Sequence, residues 1–241
     1  MKQKNQALVI IGARSKSKSI KDKNLLIFDG KTLLQRIIET AISAKGVDRV
    51  IVSTDSKKYA KIAINAGAEC PFIRPTAISK DTSGEFEYIN HAINFLKKKE
   101  NYTPSYILRL QATVPFQNKD DIESALSILK SNANIDTVMV ISEARQNPYK
   151  ALKIIDHKLY GKCLVDFTTG KAQLASPFNR QSKEKAYFRS NIIGCKFNVI
   201  KKYNSMVGSV IKYHEIPQER SIDIDSEFDF YVAKMLLKFL K

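Results

Sequence analysis

The chain has few of the residues that build metal cages or cross-links. Its 241 residues include three cysteines and three histidines. Cys70, Cys163 and Cys195 are scattered and odd in number, no pair has metal-ligand spacing, and His91, His157 and His214 stand apart from one another. That pattern argues against a zinc site or a disulfide framework and leaves the thiols as buried or incidental groups. Long apolar runs are missing as well. The run from Ala7 to Ala13 is too short to span a bilayer and lacks a cleavable-signal pattern. A cytoplasmic protein with no membrane partner is expected. Acidic residues are in short supply, 24 against 40 basic ones, for a net charge of +16. Such a surplus suits nucleic acid, a polyanionic small molecule, or merely lysine-rich helix faces such as "FLKKKENY".

Glycine is missing where a nucleotide-binding protein would most need it. The stretch "ARSKSKSIKDKN", Ala13 to Asn24, follows the apolar run "ALVIIGA" and contains no glycine after Gly12. Phosphate-binding turns after a first strand usually rely on glycines, which let backbone N–H groups close around the phosphates. Arg14, Lys16, Lys18, Lys21 and Lys23 stand there instead. The stretch matches neither the Walker pattern nor the dinucleotide fingerprint. Side chains alone can neutralise a triphosphate, arginine as a fork and lysine as a point charge. A nucleic-acid patch and a solvated loop are the competing readings.

What is present is an ordinary globular composition, 44% hydrophobic and 27% charged. Strand-like runs alternate with helical patterns: "ALVIIGA", a helix over Thr32 to Ala44, "RVIVST", and a helix capped by Asp55 and ended at Gly67. A short strand around "CPFIR", a helix from Glu85 to Lys98, "YILRLQ", the helix "DIESALSILK" and "TVMVIS" follow. This alternation predicts an α/β fold with a mostly parallel sheet flanked by helices, its ligands bound beyond the carboxyl ends of the strands. Residues 143–190 change character, with a hairpin around "KIIDHKLYGK" and loop-rich segments beyond it. They suggest a small arm inserted into a single domain spanning 1–241. "NIIGCKFNVI" predicts another strand. "SIDIDSEFDFYVAKMLLKFLK" predicts a short strand capped by Ser226 and Asp229 into a helix, its apolar face being Phe228, Val232, Met235, Leu236 and Phe239.

In "IDID", Asp223 and Asp225 at i and i+2 of an extended segment face one space while Ile222 and Ile224 turn to the core. Two carboxylates held together suit a cation between them, and magnesium takes one or two carboxylates plus phosphate oxygens. An exposed acidic pair ahead of a helix N-terminus is the alternative.

Six ordered blocks, "IIGARSKSKSIKDKN", "IVSTDS", "FIRPTAISKDTS", "LQATVPF", "NPYKAL" and "SIDIDSEFD", resemble the motifs of the acylneuraminate cytidylyltransferases over residues 7 to 237. The resemblance implies a nucleotidyltransferase fold of the Rossmann-like kind and transfer of CMP from CTP to a nine-carbon acid sugar of the sialic, legionaminic or pseudaminic type, with Mg²⁺ as cofactor. By the same resemblance Arg14, Lys18, Lys23 and Asn24 wrap the triphosphate, and Arg74, Asp81 and Ser83 shape the cytosine and ribose site. Gln111, Lys150, Arg180, Arg189 and Asn191 meet the acid sugar and phosphates, and Asp223 and Asp225 hold the metal. The catalytic set is Arg14, Lys18, Lys23, Asp223 and Asp225. The inserted arm implies an exchanged homodimer; a lid on a monomer is the alternative that periodicity leaves open. No nucleic-acid recognition element is identifiable. The chain departs from the family pattern at Ser19, where glycine is common, and at Val114 and Ile192, whose apolar side chains suggest a less polar sugar pocket. An octulosonate acceptor, or a chain that binds nucleotide without turning it over, are the remaining alternatives.

Overall fold

The computed structural model describes residues 5–17, 19–159, 161–167, 170 and 184–240. Lys18 and Arg180, both expected at the site, lie outside them, as does most of the loop that closes the arm. The first half of the chain runs β1 (Ala7–Gly12), β2 (Ile27–Phe28), β3 (Lys31–Thr32), α1 (Leu33–Ser43), β4 (Arg49–Ser53), α2 (Lys57–Asn65), α3 (Glu85–Glu100), β5 (Tyr106–Gln111) and α4 (Lys119–Ser131). It continues with β6 (Thr137–Glu143), the arm strands β7 (Leu152–His157) and β8 (Gly161–Asp166), then β9 (Tyr187–Lys196), α5 (Phe197–Tyr203), β10 (Ile211–Glu215) and α6 (Glu227–Leu240).

The main sheet among the described residues has six strands in the order β10-β6-β9-β5-β1-β4. β1 runs parallel to β4 and β5, and β6 parallel to β10, while β9 is antiparallel to both β5 and β6. The sheet is therefore mostly parallel and flanked by helices, as the alternation predicted. Period-two geometry divides the core. Ala7, Val9 and Ile11 pack with α1, α4 and α6 on one face; Leu8 and Ile10 pack with α3 and α5 on the other. A parallel strand covered on both faces has to be apolar throughout, and that is why β1 reads as an unbroken run.

Five local expectations are corrected. Asp55 does not cap α2. Ser56 does, its side chain accepting from the Tyr59 N–H, while Asp55 accepts from the Ser15 N–H at 2.7 Å and so holds the basic loop. "CPFIR" forms no strand; Glu69 alone makes a bridge to Ile51. "KFNVI" leaves the sheet at Lys196 and turns into α5. Residues 222–225 are assigned to no strand, although the Ile224 N–H donates to the Thr113 carbonyl, so the two chain segments still run side by side. The Ser226–Asp229 capping box forms as expected. The buried face of α6 is a different one, built on Ala233 with Phe230, Val232, Leu236 and Leu237, and Phe228, Met235 and Phe239 face outward.

Candidate active site

The carboxyl ends of β1, β4 and β5 open onto two adjoining cavities, and a third lies beyond them towards the arm. The first, about 270 Å³, is lined by Gly12, Arg14, Arg74, Asp81, Ser83, Glu85, Tyr88 and Gln111 among others. The second, about 340 Å³, includes Gly12, Arg14, Ser19, Lys23, Asn24, Gln111, Thr113, Asp223 and Asp225. The third, about 500 Å³, includes Glu143, Asn147, Lys150, Arg189, Asp223 and Asp229. Gly12, Arg14 and Gln111 belong to both of the first two, and Asp223 belongs to the second and third. Through these shared residues the three adjoin as one trough, with Asp223 at the junction of the second and third.

Arg74 forms the floor of the first cavity. Its guanidinium is buried, donates to the Ser53 hydroxyl and carbonyl, and lies 4.5 Å from the Tyr88 ring centroid. Burial pushes the Tyr88 hydroxyl up to about 12, so the ring stays neutral. Gly12 is required here, because a Cβ on it would lie 2.6 Å from the Tyr88 ring. At the rim, Arg14 Nη1 meets Asp81 Oδ1 at 2.5 Å.

In the second cavity Lys23 Nζ lies 2.8 Å from Asp225 Oδ1, and Asn24 donates to the Arg14 carbonyl at 3.2 Å. The basic loop is thus tied together by Asn24 and by Asp55, a polar scaffold in place of glycines. Asp223 is held by the Thr113 hydroxyl, and burial raises its carboxyl above the ordinary range, with Asp225 adding to the rise. Its Oδ1 is buried with no hydrogen-bond partner among the described residues. An orphaned carboxylate oxygen beside an exposed second carboxylate fits a hard cation that takes its remaining ligands from phosphate and water. No group of three or more His, Cys, Asp or Glu side chains suited to a metal occurs among the described residues, so the protein's share of such a site is these two carboxylates.

Lys150 and Arg189 both line the third cavity, Arg189 from the exposed end of β9. Asn191 lies deeper; its carbonyl accepts from Arg109, and its side chain is buried outside the three cavities. Val114 and Ile192 are buried in the core and line none of the three. Their apolar character serves packing, which corrects the expectation of a less polar sugar pocket.

The family model for cytidylyltransferases matches residues 8–225. The chain belongs to the cytidylyltransferase family. It is a nucleotidyltransferase, and the motif resemblance is borne out at the level of the family. Flagellin modification protein B of Campylobacter coli is 27% identical over 238 residues, covering 97% of this chain and 96% of the relative. The N-acylneuraminate cytidylyltransferase of Escherichia coli O18:K1:H7 is 26% identical over 230 residues, 95% of this cytidylyltransferase but 52% of the relative, so the chain spans about half of that protein. The pseudaminic acid cytidylyltransferase of Campylobacter jejuni is 35% identical over 118 residues, 49% of this chain and 50% of the relative. The structure of CMP-2-keto-3-deoxy-manno-octonic acid synthetase complexed with CTP superposes with a TM-score of 0.69 at 17% identity, over 98% of this chain and 100% of that one. At that identity the likeness establishes the nucleotidyltransferase fold.

Two groups escaped the sequence reading. Arg109, fully buried on β5, donates to Glu85 Oε2 at 2.7 Å, and Gln111 donates to Glu85 Oε1 at 2.6 Å. Asp121, buried at the start of α4, receives Arg220 through two bonds of 2.8 and 3.0 Å and lies 3.3 Å from His214 Nε2. The signals were there: an arginine inside the apolar "YILRLQ", and an arginine three residues ahead of Asp223.

Proposed function

We propose that this cytidylyltransferase transfers CMP from CTP to the anomeric hydroxyl of a nine-carbon acid sugar, with release of pyrophosphate. The observation that carries this reading is the trough itself, two cavities sharing Gly12, Arg14 and Gln111 and a third joined through Asp223. Cytosine and ribose occupy the first cavity over Arg74, with Asp81 and Ser83 at its edge. The triphosphate lies in the second against Arg14, Lys23 and Asn24, and Lys18, outside the described residues, is assigned to it as well. The acid sugar fills the third and reaches past Asp223 to Gln111, its carboxylate met by Lys150 and Arg189, with Arg180 as a further contact and Asn191 behind them, its carbonyl holding Arg109. Relatives named for acylneuraminic, pseudaminic and legionaminic acids support the substrate class.

The sugar's anomeric oxygen attacks the α-phosphorus as its hydroxyl proton passes to water or to Asp223, and the bond from that phosphorus to the pyrophosphate oxygen breaks. Negative charge grows on the pyrophosphate and on the non-bridging oxygens, and the cationic side chains of Arg14, Lys18 and Lys23 stabilise it. Lys150 and Arg189 offset the repulsion between the sugar's carboxylate and CTP and orient the hydroxyl. Mg²⁺ held by Asp223 and Asp225 would supply further neutralisation of the phosphate oxygens.

The arm is proposed to pair two copies into a homodimer. Leu152, Ile154, Leu164 and Phe167 are exposed large apolar residues on and just after β7 and β8, and a soluble chain needs a partner for such a face. No helix among the described residues is long and apolar enough to cross a membrane. The reaction's need for CTP fits a cytoplasmic enzyme acting on small molecules, without nucleic acid as partner.

The experiment is pyrophosphate release with CTP, Mg²⁺ and a panel of nine- and eight-carbon acid sugars, with and without chelator. Chelator-sensitive release with a nine-carbon acid is expected. Release with an eight-carbon acid alone, or with none while CTP still binds, overturns the assignment.

A further inference from the structure

Glu85, a carboxylate facing the first cavity, is held from both sides by its own protein. Its two oxygens have separate donors, Arg109 Nη2 on Oε2 at 2.7 Å and Gln111 Nε2 on Oε1 at 2.6 Å. Arg109 and Gln111 occupy positions i and i+2 of β5, so both side chains leave the sheet on one face. Arg109 is only 2% exposed. It also donates to the Asn191 carbonyl on the neighbouring β9 at 3.2 Å. A guanidinium buried this deeply needs a counter-charge, and its contact with Glu85 supplies one and pins the carboxylate in place.

The consequence falls on Gln111. A carboxylate only accepts hydrogen bonds, so the amide must turn its NH₂ towards Glu85. Its carbonyl oxygen is then the end left for the trough, and no hydrogen bond to it is made among the described residues. We propose that Glu85, fixed by Arg109, is a positioning residue that locks the Gln111 amide with its acceptor oxygen towards the acid sugar, so that the site selects acceptors bearing a hydrogen-bond donor, a hydroxyl or an acylamido N–H, at that point. This rests on the functional reading above, in which Gln111 meets the sugar.

A free glutamine amide can flip and serve donors and acceptors alike, so it discriminates poorly. A locked one leaves a substrate without the donor facing an unpaired oxygen, and buried unpaired polar groups are what generate discrimination. The lock therefore narrows specificity without touching the reacting atoms.

The test compares the acid sugar that turns over with analogues in which one hydroxyl is replaced by hydrogen or the acylamido N–H is methylated. In the unaltered enzyme one analogue should lose about tenfold in kcat/KM, the value of one hydrogen bond. The informative variant is Glu85→Gln/Arg109→Met, which removes both charges together and leaves no lone buried ion. In it the tenfold ratio should fall to near one. Gln111→Leu should abolish the same ratio. If Gln111→Leu keeps the ratio, Gln111 does not meet the sugar, and the proposal falls with that contact. If Gln111→Leu abolishes it and the double variant keeps it, the lock alone is overturned. A readout independent of turnover is the side-chain amide signal of Gln111 in ¹⁵N-labelled protein, assigned by its loss in Gln111→Leu. A shifted, exchange-protected proton that reverts in the double variant supports the lock, and a free-amide signal in the unaltered chain overturns it.

Discussion

Lys23 and Asp225, 202 residues apart in the chain, meet at 2.8 Å across the mouth of the second cavity. Lys23 is largely buried while Asp225 is 75% exposed, so the lysine is the fixed member and the carboxylate the movable one. Each has another demand on it in the proposed reaction, Lys23 from phosphate and Asp225 from a cation. The contact thus holds the two halves of the charge-handling machinery in register before substrate arrives.

Asp225→Asn should leave the fold intact, because the side chain is exposed, and should lower turnover by about a hundredfold or more, the scale of losing a preorganised charge in phosphoryl transfer. Circular dichroism and pyrophosphate release check the two halves. Near-normal turnover in a folded variant would remove Asp225 from the metal site.

Lys23→Met keeps the stem's packing and removes the charge. The apparent affinity for CTP should weaken about tenfold, in line with losing one charge-assisted hydrogen bond. The KM for the sugar should move much less. A titration of CTP at fixed sugar separates these, and an unchanged CTP affinity would leave the basic loop as a solvated one.

Gly12→Ala brings a methyl to 2.6 Å from the ring of Tyr88, which is itself buried and packed on Arg74. Overpacking of this kind costs about 1–3 kcal/mol. The melting temperature should fall, and CTP binding should weaken further because Tyr88 can yield only by disturbing Arg74. Thermal unfolding and CTP titration with no change in either would show that the ring has room to move.

The sheet and its helices were legible because a parallel strand covered on both faces must be written in unbroken apolar residues, as "ALVII" is. The aspartate pair was legible because period two puts Asp223 and Asp225 on one side. What escaped depends on contacts between distant segments. Asp55 sits where a cap belongs, but the pull of the Ser15 N–H left that job to Ser56. The apolar residues of α6 admit two candidate stripes, and which is buried depends on where the sheet lies. Val114 and Ile192 looked like changes in a pocket because a motif gives positions and not side-chain directions; both point into the core.

Asp223 contributes a pH dependence whose sign can be worked out. Burial raises its folded pKa above the ordinary 3.8, so between 3.8 and that raised value the folded chain binds more protons than the unfolded one. In the absence of metal and nucleotide, its contribution to stability therefore falls as pH rises through this window. Asp223→Asn removes the titration, so the melting temperature of that variant relative to the unaltered chain should climb from pH 4 towards neutrality while turnover is lost. A constant difference across the range would mean that the Asp223 carboxyl is not strained by its site.

Asp121 and Arg220 tie the turn ahead of Asp223 to the first turn of α4. Arg220→Ala strands a buried carboxylate, with His214 and the Asn118 N–H as its remaining partners, and should cost about 3–5 kcal/mol. Asp121→Asn/Arg220→Leu removes both charges and should recover most of that stability. It does not restore the tether. The segment from Gln218 to Ser221 is then free to shift, carrying Asp223 with it, and a displacement of about 1 Å at a reacting centre can cost a hundredfold in rate. The double variant should therefore melt close to the unaltered chain yet turn over slowly, with a raised Mg²⁺ requirement. Recovery of activity along with stability would show that the pair serves the fold alone.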